Sequence, residues 1–156
     1  MDNKTAGNRP HPSRQHEARV QLLEGLAGLL GCHTDLASML PDRKRPDVFR
    51  VNRQRKILFL GEAKDSEPPS DLSARARMGA YLRWTSIHAS RCDSTTIVAV
   101  CHGQYDHRVG WASALAEGLL DQPILGWTVR SAVLQKGNVL VWAEIWPRQL
   151  RQVVVQ

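Results

Sequence analysis

The chain has 156 residues, 42% of them apolar and 23% charged, enough for one hydrophobic core of ordinary size. Its apolar runs, such as Ile57-Leu58-Phe59-Leu60, fall far short of the ~18–20 residues that span a bilayer, and Met1-Asp2-Asn3-Lys4 opens no secretory signal. Three cysteines (Cys32, Cys92, Cys101) make no disulfide framework and fit a reducing compartment, so a cytoplasmic location is expected.

The formal net charge is +6, and sixteen of the 21 basic residues are Arg. The guanidinium fork matches phosphate oxygens, so the bias points to a polyanionic partner.

Residues 1–12 carry no periodicity and read as a flexible N-terminal arm, with residues 13–156 as a single domain. Ser13 to Gly31 reads as a helix, capped by Ser13 and stopped by Gly31. Val20, Leu23, Ala27 and Leu30 share one side, and Leu22, Leu26 and Leu29 widen the apolar arc. Glu17 and Glu24, seven residues apart, lie one above the other at its edge.

A short strand is expected within 32–45, which ends in the basic loop Arg43-Lys44-Arg45. Pro46 to Val51 and Lys56 to Lys64 read as the two strands of a hairpin. Glu67-Pro68-Pro69-Ser70 breaks the second, and Ser70 or Asp71 caps a helix to about His88. Leu72, Ala76, Ala80, Trp84 and Ile87 line one face of it. Ser94 to Cys101 is uncharged and β-branched, a buried strand. A helix from about His107 to Leu120 follows, then strands at Ile124–Leu134 and Val139–Trp146 around Gln135-Lys136-Gly137-Asn138.

The chemistry is concentrated at Pro46-Asp47 and Glu62-Ala63-Lys64. Two positions apart in a strand, Glu62 and Lys64 share a face. Asp47 opens the neighbouring strand, so two carboxylates and an ammonium meet at one end of a sheet. Two acidic side chains, with the Ala63 carbonyl as a further oxygen donor, offer a hard site for Mg²⁺. A metal there polarises a phosphoryl oxygen and lowers the pKa of a bound water. The lysine orients or deprotonates that water and stabilises developing negative charge.

These residues resemble the signature of the PD-(D/E)XK nucleases, in particular the small Holliday-junction-resolvase-like members, and the element order agrees over residues 13–101. The resemblance implies an α/β, restriction-endonuclease-like core: a central mixed sheet flanked by helices, here followed by a C-terminal β-hairpin. It implies Asp47 and Glu62 as metal ligands, Lys64 as the catalytic lysine, and Mg²⁺ as cofactor with Mn²⁺ able to substitute. The implied activity is endodeoxyribonuclease, by in-line attack of metal-bound water. Many members carry an acidic residue on the first helix; Glu17, near the helix start, ranks ahead of Glu24. Many also place a Gln or basic residue and a Tyr four apart on the helix after the motif. Arg77 and Tyr81 have that spacing, with Arg where Gln is usual, and Arg77 is equally suited to grip a phosphate. Arg43, Lys44 and Arg45 would guide the DNA backbone in. Two strands to cut make a homodimer the expected state.

No separate recognition module is visible, which favours DNA structure as the target or specificity supplied by a protein partner. The alternative is a DNA-binding or assembly subunit of a recombination, repair or defence complex that keeps the fold without cutting. A protein-interaction domain with incidental basic charge is a further rival. Cys32-His33, Cys92 and Cys101-His102 lack the close Cys pairs of structural zinc sites. There is no GxSxG elbow, no phosphate-binding GxxxxGK[ST] and no GxGxxG, so neither serine-hydrolase chemistry nor a nucleotide cofactor is expected. Trp142 and Trp146, an even number apart, share a face of the last strand and suit core or dimer packing.

Overall fold

In the computed structural model, residues 14–36, 45–65, 72–103, 110–122 and 126–147 are described. The expected N-terminal arm, residues 1–12, lies outside them. Helix α1 (Arg14–Leu29) is followed by strands β1 (Thr34–Asp35), β2 (Val48–Asn52) and β3 (Ile57–Lys64). Helix α2 (Leu72–Cys92) crosses to β4 (Thr95–Gly103), and helix α3 (Trp111–Leu120) precedes β5 (Trp127–Val133) and β6 (Asn138–Ile145). The strands form one mixed sheet in the order β1-β2-β3-β4-β6-β5. Its only parallel pair among the described strands is β3 with β4, joined by the α2 crossover. The class is therefore α/β, with three described helices on a six-stranded sheet. None of the described helices is long and apolar enough to cross a membrane.

Local chemistry fixes the elements. Gly31, at φ +71°, ends α1 in a left-handed turn, and the Cys32 N–H reaches back to the Ala27 carbonyl at 2.8 Å. Asn52 Nδ2 donates to the orphan Leu30 carbonyl at 3.0 Å, tying the helix end to β2. The β2–β3 hairpin turns through Arg53–Lys56, where the Arg55 N–H donates to Asn52 Oδ1. The C-terminal hairpin turns at Gln135–Gly137, with Lys136 and Gly137 both at positive φ.

Both faces of the sheet are apolar, as a sheet with helices on either side requires. Phe49, Leu58, Leu60, Val98, Val100 and Val141 pack against Met78, Tyr81 and Leu82 of α2 and Trp111, Leu115 and Leu119 of α3. Ala76 and Ile87, expected on the packed side of α2, are exposed; the helix turns Met78, Tyr81, Leu82 and Thr85 inward instead. On the other face Val48, Phe59, Ala63, Ala99 and Cys101 meet Leu23 and Ala27 of α1. That helix presents a narrower apolar face than its leucines suggest. Leu22 and Leu29 are exposed, whereas Arg19 is buried beside Leu23 and Ala27. The third helix is described from Trp111, and residues 107–109 of its expected span lie outside the described set.

Candidate active site

Strand β3 is buried along almost its whole length, so side chains at its end leave the core only at the sheet's rim. Val48 pairs with Gly61, and one further step brings Asp47 opposite Glu62. Asp47 lies beyond the last backbone pair, and its Oδ2 accepts the Ala63 N–H at 2.8 Å. The carboxylate thus replaces the missing ladder acceptor and pins the two strands together where the motif lies. In an antiparallel ladder a residue's N–H and carbonyl face the same neighbour, so the Ala63 carbonyl issues on the Asp47 side.

Glu62 and Lys64 project to the α2 face, as their spacing requires. Glu62 is 3% exposed and Lys64 8%. Lys64 Nζ stands 3.2 Å from Glu62 Oε2, and the Tyr81 hydroxyl donates to Glu62 Oε1 at 2.9 Å. Burial pushes the Glu62 carboxyl above its ordinary value. The Lys64 charge opposes this, the Asp47 charge adds to it, and the hydrogen bonds from Tyr81 and Lys64 oppose it again. Burial, then the Glu62 charge, raises the Tyr81 phenol far out of the physiological range, so it remains a hydrogen-bond donor. Arg77, one turn earlier on α2, is half-buried and its positive charge acts on Tyr81 in the opposite sense. The four-residue spacing puts Arg77 one turn from Tyr81, and of the two it is Tyr81 that reaches Glu62.

From α1 the neighbour is His16. Its Nε2 lies 3.8 Å from Asp47 Oδ1 and its Nδ1 lies 3.8 Å from Asp65 Oδ2. Glu17, the acidic residue expected here, is exposed and has no hydrogen bond or ion pair with a described residue. The reason is helical geometry: at 100° per residue, His16 and Arg19 share the sheet-facing side and Glu17 is rotated away from it. Glu24 is also elsewhere, 3.5 Å from Arg50 Nη2 on β2.

Arg19 is the residue that sequence reasoning missed. Only 7% exposed, it donates from Nε to Asn138 Oδ1 at 3.0 Å and from Nη1 to the Lys64 carbonyl at 3.4 Å, and it pairs with the Asp65 carboxylate. Its guanidinium lies across the ends of β3, β4 and β6. Gly103 makes room for it, because a Cβ there would stand 2.9 Å from Arg19 Nη2. His102, opposite Lys64 in the β3–β4 register, is buried with Nδ1 2.5 Å from the Gly103 carbonyl oxygen. Burial lowers its pKa, which keeps the ring neutral.

Of the basic residues before the motif, Arg43 and Lys44 lie outside the described residues. Arg45 is exposed and grips both carboxylate oxygens of Asp35, at 3.0 and 2.8 Å. Among the described residues no cluster of three or more His, Cys, Asp or Glu side chains forms a metal cage. Asp47 and Glu62 still fit a hard cation. Both offer oxygen, the charge of one already raises the pKa of the other, and Mg²⁺ completes its shell with water instead of requiring a protein cage.

The fold is a helix-flanked mixed sheet with a carboxylate–lysine cluster at the end of an interior strand. No family model, no curated protein and no solved structure matches the chain.

Proposed function

We propose that this chain is a Mg²⁺-dependent endodeoxyribonuclease of the PD-(D/E)XK type, acting in the cytoplasm on a DNA structure or where a partner directs it. The observation that carries the reading is the convergence of Asp47, Glu62 and Lys64 at one sheet end, with Glu62 buried. A carboxylate in a core costs stability, and the nearby Asp47 increases that cost, so its placement supports a functional role. The element order α1, β1–β3, α2, β4 follows the order the resemblance implies and supports the same family.

Asp47 and Glu62 would hold the ion, with the Ala63 carbonyl beside them. When bound, it supplies Lewis-acid polarisation of the phosphoryl group and a more acidic water. Lys64 Nζ, steadied by Glu62, orients the attacking water and donates to the phosphoryl oxygen as negative charge builds there. The Tyr81 hydroxyl fixes the Glu62 carboxylate. His16 and Arg19 hold Asp47 and the Lys64–Asp65 backbone from the α1 side. Arg77, together with Arg43, Lys44 and Arg45, supplies phosphate contacts, which position a nucleic acid without reading its sequence.

The test is cleavage of supercoiled plasmid, linear duplex, single strands and a four-way junction with Mg²⁺, Mn²⁺ or EDTA. Wild type cuts with metal, and Lys64→Ala loses roughly 10²–10⁴-fold in rate while still binding DNA. Wild type that binds DNA without cutting any of these substrates would favour the non-cutting assembly subunit. Wild type that neither binds nor cuts would sink both readings.

A further inference from the structure

The C-terminal hairpin turns at the same end of the sheet as the carboxylate–lysine cluster. Lys64 stands beside His102 on β4, and His102 beside Val139 on β6. With adjacent strands about 4.8 Å apart, β6 enters the sheet about 10 Å from Lys64. A groove of about 470 Å³ opens there, between Ala18, Gln21 and Leu22 of α1 and Gln135, Lys136 and Asn138 of the hairpin. One side chain joins it to the cluster. Asn138 Oδ1 accepts the Arg19 Nε–H, and Arg19 Nη1 donates to the Lys64 carbonyl.

The lining suits the backbone of a polyanion. Among the described residues that form it, Lys136 is the one charged side chain; it is exposed and forms no ion pair with them. Gln21 and Gln135 add side-chain amides that can donate to phosphate oxygens. Glu17, one turn before Gln21, is not part of the lining, so no carboxylate there repels an anion. Lys136 stands at φ +62°, a left-handed position that glycine adopts without strain, so the turn carries its cation at some backbone cost. Size then selects the form of the ligand. Sites of about 300–1,000 Å³ hold one drug-sized molecule, the scale of a nucleotide or two. A duplex, whose grooves alone are about 6–12 Å wide, is too broad to enter. One strand carries a phosphate about every 3.4 Å, so about 10 Å from Lys64 corresponds to about three nucleotides.

We propose that this groove binds the backbone of a single DNA strand about three nucleotides from the scissile bond, an inference that rests on the nuclease reading. Lys136 and the amides of Gln21 and Gln135 hold phosphates, and Leu22 meets a sugar. Such contacts position a strand without reading its bases. The preferred substrate is then a duplex with one unpaired arm. Its paired part lies against the carboxylate–lysine cluster, and the arm leaves between α1 and the hairpin.

The experiment is fluorescence-polarisation binding of the full chain, in EDTA so that nothing is cut, to a blunt duplex and to the same duplex with one arm left unpaired. Wild type is expected to bind the armed probe more tightly. Lys136→Glu, and Gln21→Glu on the opposite wall, are each expected to weaken the armed probe roughly tenfold and the blunt duplex by less than about twofold. Lys136→Gly removes the charge alone; it weakens the armed probe roughly threefold and lowers its salt slope by about 0.7. Its melting point stays within about 2 °C of wild type, because relief of the left-handed strain offsets the freer unfolded chain, so lost binding is not lost fold. Exposed Arg53, in the β2–β3 turn at the opposite end of the sheet, is the control. Arg53→Glu changes the net charge as Lys136→Glu does and moves either probe by less than about twofold. Armed-probe binding unchanged by the Lys136 and Gln21 variants overturns the proposal and leaves the nuclease reading intact. An equal loss with Arg53→Glu, or an equal loss on both probes, does the same. Wild type that binds neither probe overturns both.

Discussion

Replacing Arg19 with Met keeps an unbranched stem of similar reach and deletes the guanidinium. The lost Nε bond to Asn138, at 3.0 Å and only partly buried, is worth about 1–1.5 kcal/mol, the upper part of the range for an ordinary hydrogen bond. The longer contact to the Lys64 carbonyl at 3.4 Å adds about 0.5 kcal/mol. Asp65 is half exposed, so its ion pair is screened and contributes about 0.5 kcal/mol. Arg19→Met is therefore expected to lose about 2–2.5 kcal/mol, which in urea unfolding lowers the midpoint by about 1 M. Because most of the loss comes from hydrogen bonds and not from the ion pair, 1 M NaCl removes only the minor Asp65 share. Arg19→Lys keeps the charge without the fork and falls between the two. A midpoint within about 0.2 M of wild type would refute the reasoning, since at a slope of about 2 kcal/mol/M it corresponds to a loss of only about 0.4 kcal/mol. A difference that vanishes entirely in high salt would refute it as well, because Arg19 would then be acting as a surface charge.

Two further expectations concern the carboxylates and the first helix. With its pKa raised by burial, Glu62 binds its proton in the folded state at pH values above the ordinary 4.5 where the unfolded chain has released it. Stability therefore falls as pH rises from that value through the folded-state pKa, and Glu62→Gln removes the loss. Thermal melts should show the variant's advantage over wild type growing between pH 4 and pH 8; an advantage that is constant or shrinks with pH rules this out. On the α1 side, His16→Ala should slow cutting by roughly 10–100-fold, as loss of a group that orients a metal ligand does. Glu17→Ala should leave the rate within about twofold on the same scale. Equal effects of the two in a plasmid-nicking assay would place Glu17 back at the site.

Much of this arrangement is written locally in the chain. Ile57-Leu58-Phe59-Leu60 and Thr95–Cys101 are short, apolar and β-branched or aromatic, and both are strands. The two-residue spacing of Glu62 and Lys64 suffices to put them on one face, and the four-residue spacing of Arg77 and Tyr81 does the same on α2. The first helix was less legible. Leucines occupy so much of its circumference that periodicity does not select a face, and a polar residue decides the matter. Arg19 turns inward because Asn138, Asp65 and the Lys64 carbonyl wait at the sheet's end. That rotation carries His16 toward Asp47 and leaves Leu22, Leu29 and Glu17 outside. A lone Arg in an apolar stripe was the available signal, and its partners are too distant in sequence for spacing to reveal them.

The sheet order has a consequence for how the protein is made. The last of the described strands, β6, is an interior strand that fits between β4 and β5. Until it is synthesised, β4 carries an open apolar edge, and Arg19 lacks an acceptor that lies 119 residues further along the chain. At roughly 5–20 residues per second, a ribosome leaves that edge unpaired for several seconds after β4 emerges. Asp47, Glu62 and Lys64 are all present by then, but the guanidinium that braces their strand has not found its final partner. Completion of the rigid site is thereby tied to the arrival of the last strand, and a translation arrest before Asn138 releases a fragment more prone to strand pairing with its neighbours than to ordered chemistry.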